Sequence, residues 1–169
     1  MFQEEIKGIN PEDLIYLDES GIENSINRGY ARAHRGKKIF GEITGNRKQR
    51  VSVIAGLEQK RLISPLEFEG HCDTELFNLW LERCLLPEVA PGKTLILDNA
   101  SFHKSERTRE LVKSKGCFLK FLPTYSPDLN PIENHWAILK ARIKKHRKNN
   151  LSLTSKTLLL FKLLSWLKN

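Results

Sequence analysis

Cysteine is scarce in this chain: Cys72, Cys84 and Cys117 are the only three in 169 residues. The number is odd and no C-x-x-C pair occurs, which argues against a disulfide framework or zinc finger and for a reducing compartment. Long hydrophobic runs are also lacking. The most apolar stretch, TLLLFKLLSWLKN (157–169), is broken by Lys162 and falls short of the roughly 20 residues needed to cross a bilayer. The N-terminus, MFQEEIKGIN, has no apolar core of a secretory leader. No membrane partner is expected, and the cytoplasm is the expected location. Internal repeats and low-complexity linkers are absent. At 40% hydrophobic and 28% charged residues, the composition suits a folded domain rather than a disordered one.

Acidic residues are thin in two places where basic ones crowd. Arg28, Arg32, Arg35, Lys37, Lys38, Arg47, Lys48 and Arg50 face only Glu42 across that span, and KARIKKHRK (140–148) contains no acid. With a net charge of +8, such clusters suit a polyphosphate partner, although a solvated basic face is the plainer alternative. Arg32, Arg35, Lys37, Lys38, Lys140, Arg142, Lys144 and Lys145 are the candidate nucleic-acid contacts.

Apolar runs alternate with turn residues. LIYLD (14–18) reads as a buried strand ended by the polar stretch from Glu19 into Gly21. KKIFGEITG (37–45) and RVSVIAGLE (50–58) read as strands joined by a GNRK turn. LISPLEFEG (62–70) reads as a third, with Pro65 placing it at an edge or bulge. Helical spacing with Asp73 as N-cap marks 73–88, and TLILDNA (94–100) is again a strand. SERTRELVKSKG (105–116) has a serine cap and a terminal glycine, and CFLKFLP (117–123) follows as a strand. A last helix from Asn130 or Pro131 to about Lys148 carries Ile132, Trp136, Leu139 and Ile143 on one face. This order implies an α/β mixed sheet with parallel members covered by helices. One domain is expected over 1–149, with a break at NNLSLT (149–154) and a leucine-rich C-terminal helix or tail over 150–169 that is not a separate domain.

Asp18 and Asp98 each follow an aliphatic run, so each strand would deliver an acid at its C-terminal end, where open α/β sheets place their sites. If the strands are parallel neighbours, the two carboxylates repel unless a cation such as Mg²⁺ lies between them. Glu133 follows FLPTYSPDLNP, whose Pro123, Pro127 and Pro131 restrict the loop and lower the entropy of holding a third acid nearby. Local explanations exist for each. Asn130 and Glu133 have the spacing of a capping box, and strand-end aspartates often form turns. Two strand-end acids, a rigid loop with a third, and basic flanks share one explanation in metal-assisted phosphoryl chemistry.

LIYLDES, LILDNASFHKS and FLPTYSPDLNPIENHWAILK resemble the catalytic domain of DDE transposases, in the bacterial insertion-sequence branch of the mariner-like superfamily. The resemblance runs from about Leu14 to Lys148. It implies an RNase H-like mixed β-sheet of about five strands flanked by helices. It also implies a two-Mg²⁺ site, with Mn²⁺ as a substitute, and DNA cleavage followed by strand transfer in transposition. Asp18, Asp98 and Glu133 would be the catalytic, metal-binding triad, with Asn99, His103 and Asn134 around it. The implied partners are transposon-end and target DNA, and a second copy of the chain. The family's N-terminal helix-turn-helix has no counterpart in the 13 residues before the first strand, so the chain reads either as the second product of a split reading frame, with a separately encoded recognition subunit, or as a fragment. A DNA-binding remnant without activity, or another RNase H-like nuclease, remains as the alternative.

Overall fold

The computed structural model describes residues 2–23, 50–124 and 126–146. A short helix, α1 (Phe2–Ile6), and a 3-10 turn at Pro11–Asp13 lead into the first strand, β1 (Leu14–Glu23). An antiparallel meander follows, β2 (Arg50–Glu58) and β3 (Arg61–Glu69). Next come the helical stretch α2 (Thr74–Trp80), a π turn at Leu81–Leu85 and α3 (Leu86–Glu88). Strand β4 (Thr94–Leu97), helix α4 (Glu106–Ser114), strand β5 (Phe118–Phe121) and helix α5 (Ile132–His146) complete the order. The sheet runs β3-β2-β1-β4-β5, with β1, β4 and β5 parallel. Among the described residues it is the mixed sheet of about five strands that the resemblance implied. The expected strand at 37–45 and its GNRK turn lie outside the described residues.

Period-2 alternation sends side chains of each strand to opposite faces. Ile15 and Leu17 of β1 join Ile54, Phe77, Trp80, Leu95, Leu97 and Leu111 in a core under α2 and α4. Val53, Ala55, Leu57 and Ile22 face the other way and pack against Ile132, Trp136, Leu139 and Ile143 of α5. The predicted apolar face of α5 is thus the buried one.

β1 is twice as long as LIYLD suggested. Its polar half, Glu19–Glu23, stays in the ladder because β2 pairs with it from Glu19↔Ile54 to Glu23↔Arg50. Asp18 therefore sits within a strand and not at its end. The ladder with β2, invisible to local polarity, overrode the turn signal. Asp98 does come directly after its strand. The register of β3 shifts between Ile54 and Gly56, leaving Ser64 and Pro65 as a bulge on the edge strand. Ser64 has φ +48°, donates its hydroxyl to Cys84 O at 3.0 Å and accepts from Trp80 Nε1 at 2.7 Å. The bulge is thereby tied to the π turn. Gly56 lies under this crossing, where a Cβ would come within 3.0–3.1 Å of Ile63, Leu17 and Leu85 side chains.

The caps at Asp73 and Ser105 form as predicted, accepting from Leu76 N at 2.8 Å and Thr108 N at 3.1 Å. The N-cap predicted at Asn130 does not. Among the described residues its carboxamide oxygen is buried without a partner, and only its backbone oxygen accepts the Glu133 N–H, at 3.2 Å. The capping-box explanation of Glu133 fails with it.

Candidate active site

Parallel pairing sets the site. Leu14, Ile15 and Tyr16 stand opposite Thr94, Leu95 and Ile96. Continuing the same offset of 80 positions (94 − 14) brings Asp18 level with Asp98. The chain after β5 then crosses this end of the sheet, with the Leu122 N–H bonded to Leu97 O at 2.7 Å. It builds a wall of Pro123, Thr124, Ser126 and Asn130 before α5 begins. The result is an open cavity of about 360 Å³ lined by Asp18, Asp98, Asn99, Ala100, Leu122, Pro123, Thr124, Ser126, Asn130 and Glu133. All three predicted acids line it.

The two aspartates are held from opposite faces of the sheet. On the α5 side, Trp136 donates its indole N–H to Asp18 Oδ2 at 2.9 Å. Burial, reinforced by the charge of Glu133, pushes the Asp18 carboxyl up to about 7. On the other side His103, 1% exposed, bonds Asp98 Oδ1 through Nδ1 at 2.7 Å and Glu19 Oε1 through Nε2 at 3.1 Å. Ala100 N–H adds a second bond to the same oxygen at 3.0 Å. Asp98 is accordingly held below the usual carboxylate range, chiefly by the His103 bond. Burial pulls His103 down, but its two carboxylate partners outweigh that and raise it to about 9. The ring is wedged against Phe77 and Phe102, with centroids 4.4 and 4.1 Å away.

Of the residues expected around the triad, His103 touches Asp98. Asn99 lines the cavity and donates to Thr124 Oγ1 at 2.9 Å. Asn134 is exposed on α5 and is not part of the cavity lining. Lys140 is exposed and Arg142 half-buried on the same helix, which also carries Lys144 and Lys145. Arg32, Arg35, Lys37 and Lys38 fall outside the described residues. Two residues escaped the sequence reading. Trp136 reads as core from its helical spacing, and it is, but its N–H reaches the site. Glu19 reads as a strand terminator; the signal available was its position in an alternating strand next to Asp18.

The donor set is hard oxygen throughout, suited to Mg²⁺ or Mn²⁺. Burial and the neighbouring Glu133 charge raise Asp18 to about 7, and Asn130, whose carboxamide oxygen is buried without a partner among the described residues, lines the same cavity. Among the described residues, no three acidic, histidine or cysteine side chains are gathered closely enough to hold an ion as they stand. The chemistry of the donors fits a divalent cation.

A mixed β3-β2-β1-β4-β5 sheet with helices on both faces and acids at the β1/β4 junction defines an RNase H-like α/β domain. The chain belongs to the DDE superfamily endonucleases, whose family model matches residues 13–153. It is 55% identical over 42 residues to the transposable element Tc3 transposase of Caenorhabditis elegans, covering 25% of this chain and 13% of that protein. The fold is similar to that of the Mos1 mariner transposase in a paired-end complex with Mn. There the TM-score is 0.74 at 16% identity, over 97% of this chain and 52% of the other. The Mos1 catalytic domain alone aligns with a TM-score of 0.62 at 14% identity, over 97% of this chain and 76% of that one. The chain thus spans about half of the Mos1 transposase in the paired-end complex.

Proposed function

We propose that this chain is the catalytic domain of a DDE transposase of the bacterial insertion-sequence branch, cleaving DNA strands and joining them to a target in a bacterial cytoplasm. The observation that carries the proposal is the convergence of Asp18, Asp98 and Glu133, distant along the chain, on one open cavity. In this reading the three carboxylates would hold two Mg²⁺ ions, with Mn²⁺ as a substitute. Bound divalent ions would activate the attacking oxygen and neutralise the leaving one. The chain's own residues do the rest. Trp136 orients Asp18, and His103 keeps Asp98 ionised and fixed. The proline-bearing wall presents Glu133 from the first turn of α5. Domain 1–149 performs the chemistry, the basic clusters grip the phosphate backbone, and 150–169 is a tail outside the catalytic unit. A second copy of the chain and a helix-turn-helix module that reads the element's ends would complete the assembly.

The test is Mg²⁺-dependent nicking of a duplex bearing the element's end sequence. Asp98→Asn should abolish cleavage while DNA affinity holds or rises. Retained cleavage would remove Asp98 from the site. Cleavage confined to RNA–DNA hybrids would favour another RNase H-like nuclease. DNA binding with no cleavage by the unmodified chain under any divalent ion would favour an inactive remnant.

A further inference from the structure

We infer that Glu19 is a positioning residue, which acts through His103 to fix the direction in which Asp98 presents its carboxylate to the cavity. The inference rests on the reading of Asp98 as a metal ligand. Glu19 follows Asp18 on β1, so alternation sends it to the opposite face of the sheet, away from α5. There it meets His103, which comes from the 3-10 turn Ser101–Lys104 just after Asp98. The chain of contacts is continuous: Glu19 Oε1 to His103 Nε2 at 3.1 Å, and His103 Nδ1 to Asp98 Oδ1 at 2.7 Å.

Three features set this contact apart from a surface pair. His103 is buried and boxed between the Phe77 and Phe102 rings, so its plane is fixed by packing as well as by bonds. The Asp98 bonds from His103 and Ala100 both fall on Oδ1, so the carboxylate is clamped by one oxygen. Glu19 occupies Nε2 and leaves Nδ1 to serve Asp98, the arrangement by which outer partners orient ligands at metal sites. The Cys72 thiol also lies beside Glu19. Burial and the Glu19 carboxylate raise it to about 12, which leaves it a neutral neighbour.

Reach and charge can be separated. Glu19→Asp keeps the charge but is one methylene shorter, whereas Glu19→Gln loses the charge and keeps a polar group level with Nε2. Mn²⁺ binding without DNA, followed by electron paramagnetic resonance, is the direct readout. Half-saturating Mn²⁺ for cleavage, against the maximal rate, is the second. Glu19→Asp is expected to weaken Mn²⁺ binding by about 10–100-fold. Glu19→Gln, which keeps its reach to Nε2, should lose less than Glu19→Asp. His103→Gln should weaken binding too, and Glu19→Asp should then add no further loss in that background. Glu19→Asp matching the unmodified protein would overturn the inference, as would Glu19→Gln losing what Glu19→Asp keeps, or additive losses in the double variant. Thermal melts of each metal-free variant ensure that folded protein is compared. Unaltered Mn²⁺ binding by Asp98→Asn would instead overturn the ligand reading beneath it.

Discussion

Asp18 carries the most informative electrostatics in the molecule. Its folded pKa, about 7, lies above that of an ordinary aspartate, so the native state holds the proton more tightly than the unfolded chain. The stability this contributes is complete below the ordinary aspartate range and is lost as pH rises through about 7. The Trp136 indole works in the opposite sense, because its N–H favours the ionised carboxylate. Trp136→Phe should therefore cost more at pH 8 than at pH 5, on the order of 1–3 kcal/mol at the higher value. Urea denaturation in chelator at both pH values checks this. Equal losses would make Trp136 a packing residue alone. Nothing in the spacing of Ile132, Trp136, Leu139 and Ile143 distinguishes such a tryptophan, since apolar periodicity records which face is buried and not what lies opposite one polar atom.

At the scale of elements, α5 has two jobs. Its buried stripe covers the face of β1 and β2, while its first turn places Glu133 on the cavity. Its solvent side carries Lys140, and the basic run continues through Arg142, Lys144 and Lys145. Neutralising these four should flatten the salt dependence of DNA binding, by about one unit of slope for each phosphate the helix no longer neutralises. An unchanged slope in titrations from low to moderate salt would make the helix a bystander. Helices and strands were legible because their caps, glycines and alternation are local signals: Asp73, Ser105 and Gly116 end or begin elements where expected. Two departures from the expected pattern bear on the site. β1 runs past Asp18 because β2 pairs with its polar half, and the Asn130 carboxamide, buried among the residues that line the cavity, does not cap α5.

For the molecule as a whole, the pocket gathers negative charge that the protein itself only partly compensates. Mg²⁺ binding to the folded state alone should raise the melting temperature by linkage. Each 1 kcal/mol gained moves the midpoint by about 2–4 °C for a chain of this size. The rise should be larger at pH 8 than at pH 6, because at the lower pH the ion must displace the proton on Asp18. Differential scanning fluorimetry with millimolar Mg²⁺ at both pH values checks this; no shift at either would count against a metal site built from these acids.

The chain by itself determined the alternation of strands and helices, the three acids and the stiff loop before Glu133, since each is written in neighbouring residues. Only the tertiary structure decided how those acids are held. Trp136 and His103 reach the two aspartates from opposite faces of one sheet, a relation created by strand pairing across long stretches of sequence. No local pattern of residues contains it.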